Sequence, residues 1–99
     1  MGFFPISLKG LTAMFTAQIT VPNETGLHAR PASALVRLCK QYQSSIHIRH
    51  GELDIDAKSI VRLLACGLSQ HARIELVVEG EDEAEAGSAV AEFIRSLTD

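Results

Sequence analysis

The chain is 99 residues long, with 46% hydrophobic and 21% charged residues, a balance that suits one globular domain and excludes a disordered linker. Nine Lys and Arg against twelve Asp and Glu leave a net charge of −3, so there is no basic field to collect phosphate backbones and nucleic acid is not an expected partner. No apolar run approaches the roughly 18 to 20 residues that a membrane-spanning helix needs, so no membrane insertion is expected.

Residues 1–13, MGFFPISLKGLTA, mix apolar and turn residues without any period. They lack the positively charged start of a secretory signal, and Ile6 stands where a myristoylation site would need Ser or Thr. The segment reads as an N-terminal extension of unknown role, ahead of a domain spanning 14–99. Phe15, Ala17, Ile19 and Val21 then alternate with polar residues, the period of a strand buried on one face. Between Pro31 and Lys40 the apolar residues Ala32, Leu35, Val36 and Cys39 fall at helical spacing. Ile46 and Ile48, a turn at Gly51, and then Leu53, Ile55 and Ala57 predict a hairpin. Ile60, Leu63 and Leu64 predict a helix of about two turns that starts near Ser59 and stops at Gly67.

Ile74, Leu76 and Val78 mark a fourth strand that closes at Gly80. Asp82 with Glu85 three positions on resembles a capping box, and Ala86, Ala89, Val90, Phe93, Ile94 and Leu97 trace one helical face to the end of the chain. The order β-α-β-β-α-β-α, with strands apolar on one face, predicts an α+β open-faced sandwich: a four-stranded antiparallel sheet with three helices on one side. A ferredoxin-like sheet shares β-α-β-β-α-β, so a non-catalytic interaction module of that topology stays open on element order alone. Cys39 and Cys66, far apart and within apolar stretches, read as two buried thiols. His47 and His50 are three apart on an extended segment and point to opposite faces, so no metal site is expected.

The chemistry concentrates between the first strand and the first helix, in Asn23-Glu24-Thr25-Gly26-Leu27-His28-Ala29-Arg30-Pro31-Ala32. Gly26 permits a tight turn and Pro31 fits a first helical turn, which places His28 at a helix N-terminus. Free backbone amides point outward there and suit an anion. Arg30 adds a planar fork that matches phosphate oxygens. A neutral imidazole can attack a phosphoryl donor, and the product would be held by those amides and Arg30.

GLHARPA resembles the active-site signature of the HPr family, the histidine-containing phosphocarriers of the bacterial sugar phosphotransferase system. The resemblance continues in Asp56-Ala57-Lys58-Ser59-Ile60-Val61, in Leu64-Ala65-Cys66-Gly67-Leu68 and in Val78-Glu79-Gly80-Glu81-Asp82-Glu83. It implies that His28 is phosphorylated, that Arg30 stabilises the phosphate, and that Ala29 and Thr25 contribute to the phosphate-binding loop. It also implies a cytoplasmic monomer without cofactor that takes phosphate from enzyme I and gives it to enzyme IIA domains. Such a carrier is stoichiometric and turns over no small molecule by itself. Ser59 matches a serine phosphorylated in some relatives by a dedicated HPr kinase/phosphorylase, and Ile60, Val61 and Leu64 match an apolar docking patch. Successive residues of a helix point about 100° apart, so Val61 is the member expected to be exposed. Arg62 departs from the Gly or Lys usual at its position. A nitrogen-branch or carbon-regulatory paralogue acting in signalling is the alternative within the family, and the presence of His28 weighs against relatives that have lost the histidine.

Overall fold

The computed structural model describes residues 14–98, so the expectations for residues 1–13 lie outside the described residues. Seven elements follow in the predicted order: β1 (Phe15–Thr20), α1 (Ala29–Cys39), β2 (Ser45–His50), β3 (Leu53–Asp56), α2 (Ile60–Cys66), β4 (Arg73–Glu79) and α3 (Glu83–Arg95). The strands form one sheet in the order β1-β4-β2-β3 with every pairing antiparallel. A ferredoxin-like sheet is antiparallel between neighbours as well, so it is the strand order, with β1 at an edge beside β4 alone instead of between two strands, that separates the two folds.

Strand alternation produces the core directly. Phe15 and Ile46 both face Val78, Ile48 faces both Leu76 and Ile55, and Ile19 faces Ile74, which puts the large apolar side chains on one side of the sheet. All of these except the half-buried Phe15 are buried, and the helices close over them with Leu35, Leu63, Val90 and Ile94. The opposite face is polar. There His47 Nδ1 lies 2.7 Å from Asp54 Oδ1; His50, in phase with Ile46 and Ile48 at the end of β2, instead has its Nδ1 3.1 Å from the Arg73 carbonyl oxygen.

Several sequence expectations are corrected in detail. β1 ends at Thr20, although Val21 is fully buried just beyond it. α1 starts at Ala29, two residues before Pro31, so the proline is the third helical residue and still within the first turn. Cys39 is buried, and loss of hydration pushes its thiol up to about 12. Cys66 is only half-buried, because α2 is short and Leu63 is its only fully buried residue.

The buried stripe of α3 runs through Glu83, Ala86, Gly87, Val90, Ala91 and Ile94, leaving Ala89, Phe93 and Leu97 half-buried on its flank. Gly87 explains the rotation: a Cβ there would collide with the Phe15 ring, so the helix turns its smallest residue to the first strand. α3 stops at Arg95, short of the chain end, and Arg95 donates a hydrogen bond to the Gln18 carbonyl on the edge strand β1.

The expected capping box does not form, since the Asp82 side chain makes no bond to its own helix. Its carboxylate instead accepts the Gln43 and Ser44 N–H groups, both at 3.0 Å, and the Ser44 hydroxyl. It thereby ties the loop after α1 to the start of α3. Glu83 reaches back to accept the Gly80 N–H at 3.0 Å.

The Ser44 hydroxyl first, then the Gln43 N–H, hold the Asp82 carboxyl below its ordinary 3.8. Because the folded form favours the ionised group, this tie is fully present above the ordinary carboxylate range and lost as pH falls through the lowered value. Asp82→Asn should therefore be less stable than the wild type near neutrality, and the gap should close as the solution is acidified. Urea unfolding of both proteins over a pH series measures it, and a gap independent of pH would show that the charge contributes nothing.

Candidate functional site

The segment between β1 and α1 is held by backbone bonds on both flanks. Val21 N–H donates to Ala72 O at 2.9 Å, His71 N–H donates to Val21 O at 2.8 Å, and Leu27 N–H donates to Leu68 O at 2.8 Å. Gly26 adopts φ +69°, and a Cβ there would strike the Leu68 carbonyl and Ser69, so only glycine lets these two loops approach so closely. The next residue, Leu27, is fully buried and anchors the segment in the core.

His28 follows as the residue preceding the first turn of α1, with extended backbone (φ −123°, ψ 155°), and its ring makes no capping bond to the helix. The side chain is exposed, as are those of Ala29 and Arg30. The amides of Ala29 and Arg30 lie in the first turn, where no carbonyl of the helix can reach them, whereas Pro31 has no N–H to leave unpaired. No acidic residue occupies that turn to compete for them, and Arg30 makes no ion pair among the described residues. Positive backbone charge, a free guanidinium and an accessible imidazole thus converge on one point in solvent.

Thr25, His28, Ala29 and Arg30 all border one open groove of about 690 Å³. Phe93, near the end of α3, and Leu97, just past it, form its other side. Sequence periodicity had assigned both to the core face of the last helix. Their role as groove walls follows from the rotation of α3 about Gly87, for which the only sequence signal is a glycine within a helical run.

The second group of expected residues lies elsewhere, on α2. Ser59 precedes its first turn, and its Oγ accepts the Arg62 N–H at 3.3 Å. Val61 is 72% exposed and Leu64 is 39% exposed, whereas Ile60 is half-buried against the core. The patch is therefore a real apolar surface led by Val61, but it does not line the His28 groove.

Ala29 has φ +42°, a left-handed conformation in which a Cβ is unfavourable by roughly 1 to 2 kcal/mol. Glycine removes that penalty but brings about 0.5 to 1 kcal/mol of backbone entropy. Ala29→Gly should then stabilise the domain slightly, by about 0.5 to 1 kcal/mol. A melting temperature below that of the wild type would show that Ala29 does not hold this conformation.

The sequence over residues 15–96 matches the family model PTS-HPr, described as the PTS HPr component phosphorylation site. A phosphocarrier protein HPr of Lysinibacillus sphaericus is 39% identical over 84 residues, 85% of this chain and 96% of that protein. The fold agrees with a crystal structure of HPr from Thermoanaerobacter tengcongensis, with a TM-score of 0.80 and 36% identity over 83% of this chain and 92% of that one. A structure described as an HPr dimer from the same organism has a TM-score of 0.67 and 38% identity, covering 79% of this chain and 90% of that one. With its antiparallel open-faced sheet and its match over nearly all the described residues, this chain belongs to the HPr family of the phosphotransferase system.

Proposed function

We propose that the protein carries a phosphoryl group on His28, taking it from phosphorylated enzyme I and passing it to enzyme IIA domains during sugar uptake. The observation that carries this reading is the convergence of Thr25, His28, Ala29 and Arg30 on one groove at the unblocked N-terminus of α1. A ring nitrogen of neutral His28 attacks the donor phosphorus, and a P–N bond forms as the bond to the donor breaks. The phosphoryl oxygens then fall among the amides of the first turn, with the Arg30 guanidinium within side-chain reach. The open groove leaves the group accessible to the next acceptor.

Docking runs through Ile60, Val61 and Leu64. An exposed apolar residue such as Val61 can fill a partner's pocket without disturbing this domain's own core. The protein works in the cytoplasm as a monomer. Ser59 is the regulatory site where a kinase of the HPr kinase/phosphorylase type acts, and a phosphate there would set a charge of about −1.5 to −2 beside the apolar patch.

His28→Ala should lose all acid-labile label from phosphoenolpyruvate and enzyme I while its stability stays within about 0.5 kcal/mol of wild type, because the ring is exposed and caps nothing. Arg30→Glu should keep the label but acquire it more slowly, through loss of a charge-assisted contact of roughly 1.5 to 3 kcal/mol. Full labelling of His28→Ala would refute the assignment.

Two changes at Ser59 separate capping from regulation. Ser59→Ala removes the bond to Arg62 N–H and should cost about 0.5 to 2 kcal/mol of stability with normal labelling. Ser59→Asp retains a cap and adds charge, so it should fold normally and label slowly. Equal labelling rates for wild type and Ser59→Asp would leave Ser59 as a cap alone.

A further inference from the structure

Three polar or charged residues are buried among the described residues: Asn23, Ser44 and Glu83. Ser44 and Glu83 belong to the hydrogen bonds that brace the start of α3. Asn23 belongs to the loop that presents His28, and it is only 3% exposed. Burying a carboxamide is unfavourable unless its polar atoms are bonded, so what those atoms hold is informative.

Asn23 Nδ2 donates to the Gly26 carbonyl at 2.9 Å and lies 3.4 Å from Thr25 Oγ1. The Asn23 carbonyl in turn accepts the Gly26 N–H at 3.1 Å. The peptide joining Gly26 to Leu27 is consequently fixed at both polar atoms, its carbonyl by the Asn23 side chain and its N–H by the Leu68 carbonyl. His28 comes one residue later. Gly26 has the backbone freedom to let that peptide rotate, and rotation would change ψ of Gly26 and φ of Leu27 together, redirecting the chain into His28. The Asn23 carboxamide opposes that rotation.

We propose that Asn23 is a positioning residue for phosphoryl acceptance: its side-chain amide locks the Gly26–Leu27 peptide and so fixes the His28 ring relative to the N-terminus of α1 and Arg30. This rests on the reading of His28 as the acceptor. Asn23 touches no reacting atom and acts only through the backbone it holds. A displacement of about 1 Å at a reacting group can lower a rate by up to a hundredfold, so loss of the lock should register in turnover.

The test follows phosphoryl transfer from phosphoenolpyruvate and enzyme I to the full chain, comparing wild type with Asn23→Ala, Asn23→Asp and Gln70→Ala. Gln70→Ala cuts another tie of the same loop, from Gln70 Nε2 to the Pro22 carbonyl at 3.1 Å, without touching the locked peptide. Both Asn23 variants should lower kcat roughly tenfold or more. Their KM for this carrier should change by less than about twofold, because the α2 surface is intact. Asn23→Asp should regain activity as pH falls, since a protonated carboxyl can again donate to the Gly26 carbonyl whereas a carboxylate only accepts. Gln70→Ala should keep the wild-type kcat.

Wild-type kcat in folded Asn23 variants overturns the proposal. So does a loss confined to KM, an equal loss in Gln70→Ala, or a pH-independent defect in Asn23→Asp. If both Asn23 variants fail to fold over the whole pH range, Asn23 is a folding residue and the positioning role is likewise refuted. Failure of the underlying reading is distinct, because the wild type itself would then take no phosphate on His28.

Discussion

Strand β4 is the constraint on which the rest of the molecule depends. It is hydrogen-bonded along both edges, to β1 and to β2, and Ile74, Leu76 and Val78 send their side chains into the one buried face. Its partner β1 lies at the other end of the chain, so the sheet cannot close until nearly the whole domain has been brought together. Sheet closure then seats α3 across β1 and β4, with Gly87 against Phe15 and Arg95 on the edge of β1. The loop that carries His28 inherits its position from the same pairing. Val21 continues the contact past the end of β1 by exchanging hydrogen bonds with His71 and Ala72, just ahead of β4.

Element type and order were legible because each strand and helix repeats its apolar residues at its own period, and burial of one face is the force that selects that period. Strand order was not. It depends on which strands meet after collapse, and alternation in Phe15–Thr20 is the same whether its neighbour is β4 or another strand. The Asp82 staple was hidden for a similar reason. A carboxylate before a helix looks like a cap in sequence, but here the loop at Gln43 and Ser44 lies close enough to take it instead. The rotation of α3 depended on a contact between Gly87 and the Phe15 ring, two residues with no sequence pattern in common.

At the site, the legible residues were those whose chemistry is exposed. His28 and Arg30 stand out because an imidazole and a guanidinium two residues apart at a helix start suit an anion, and the groove does gather them with Thr25 and Ala29. The residues that place them were not legible. Leu68 contributes only its backbone carbonyl, which every residue type possesses, the Asn23 carboxamide bonds a peptide carbonyl that carries no sequence signal, and Phe93 and Leu97 become groove walls only through the setting of α3. Cys66 shows the complementary error. An apolar period over seven residues promises more burial than a two-turn helix can supply, and the surplus remains at the surface.

The three helix starts differ in a way that stability alone does not explain. α2 receives the Ser59 hydroxyl on its Arg62 N–H, and α3 has Glu83 and Glu85 in its first turn to offset the positive end of its dipole. α1 has neither a capping side chain nor an acid there, and it begins at a residue with unfavourable positive φ. A capping Ser or Asp in place of His28 would typically add about 1 kcal/mol of stability. Only at α1 does the fold forgo both a capping bond and an acid in the first turn, and it does so where the chain also supplies Arg30 and an open groove. An uncompensated helix start is a defect in a free protein but an asset in a carrier, because the missing negative charge would arrive with the phosphoryl group. The same amides that weaken the empty site would then stabilise the loaded one, and transfer onward would return the domain to its less satisfied state. Keeping both states of nearly equal worth is what reversible carriage requires, and the other two helices, closed by the chain's own side chains, provide the stability that lets α1 remain open.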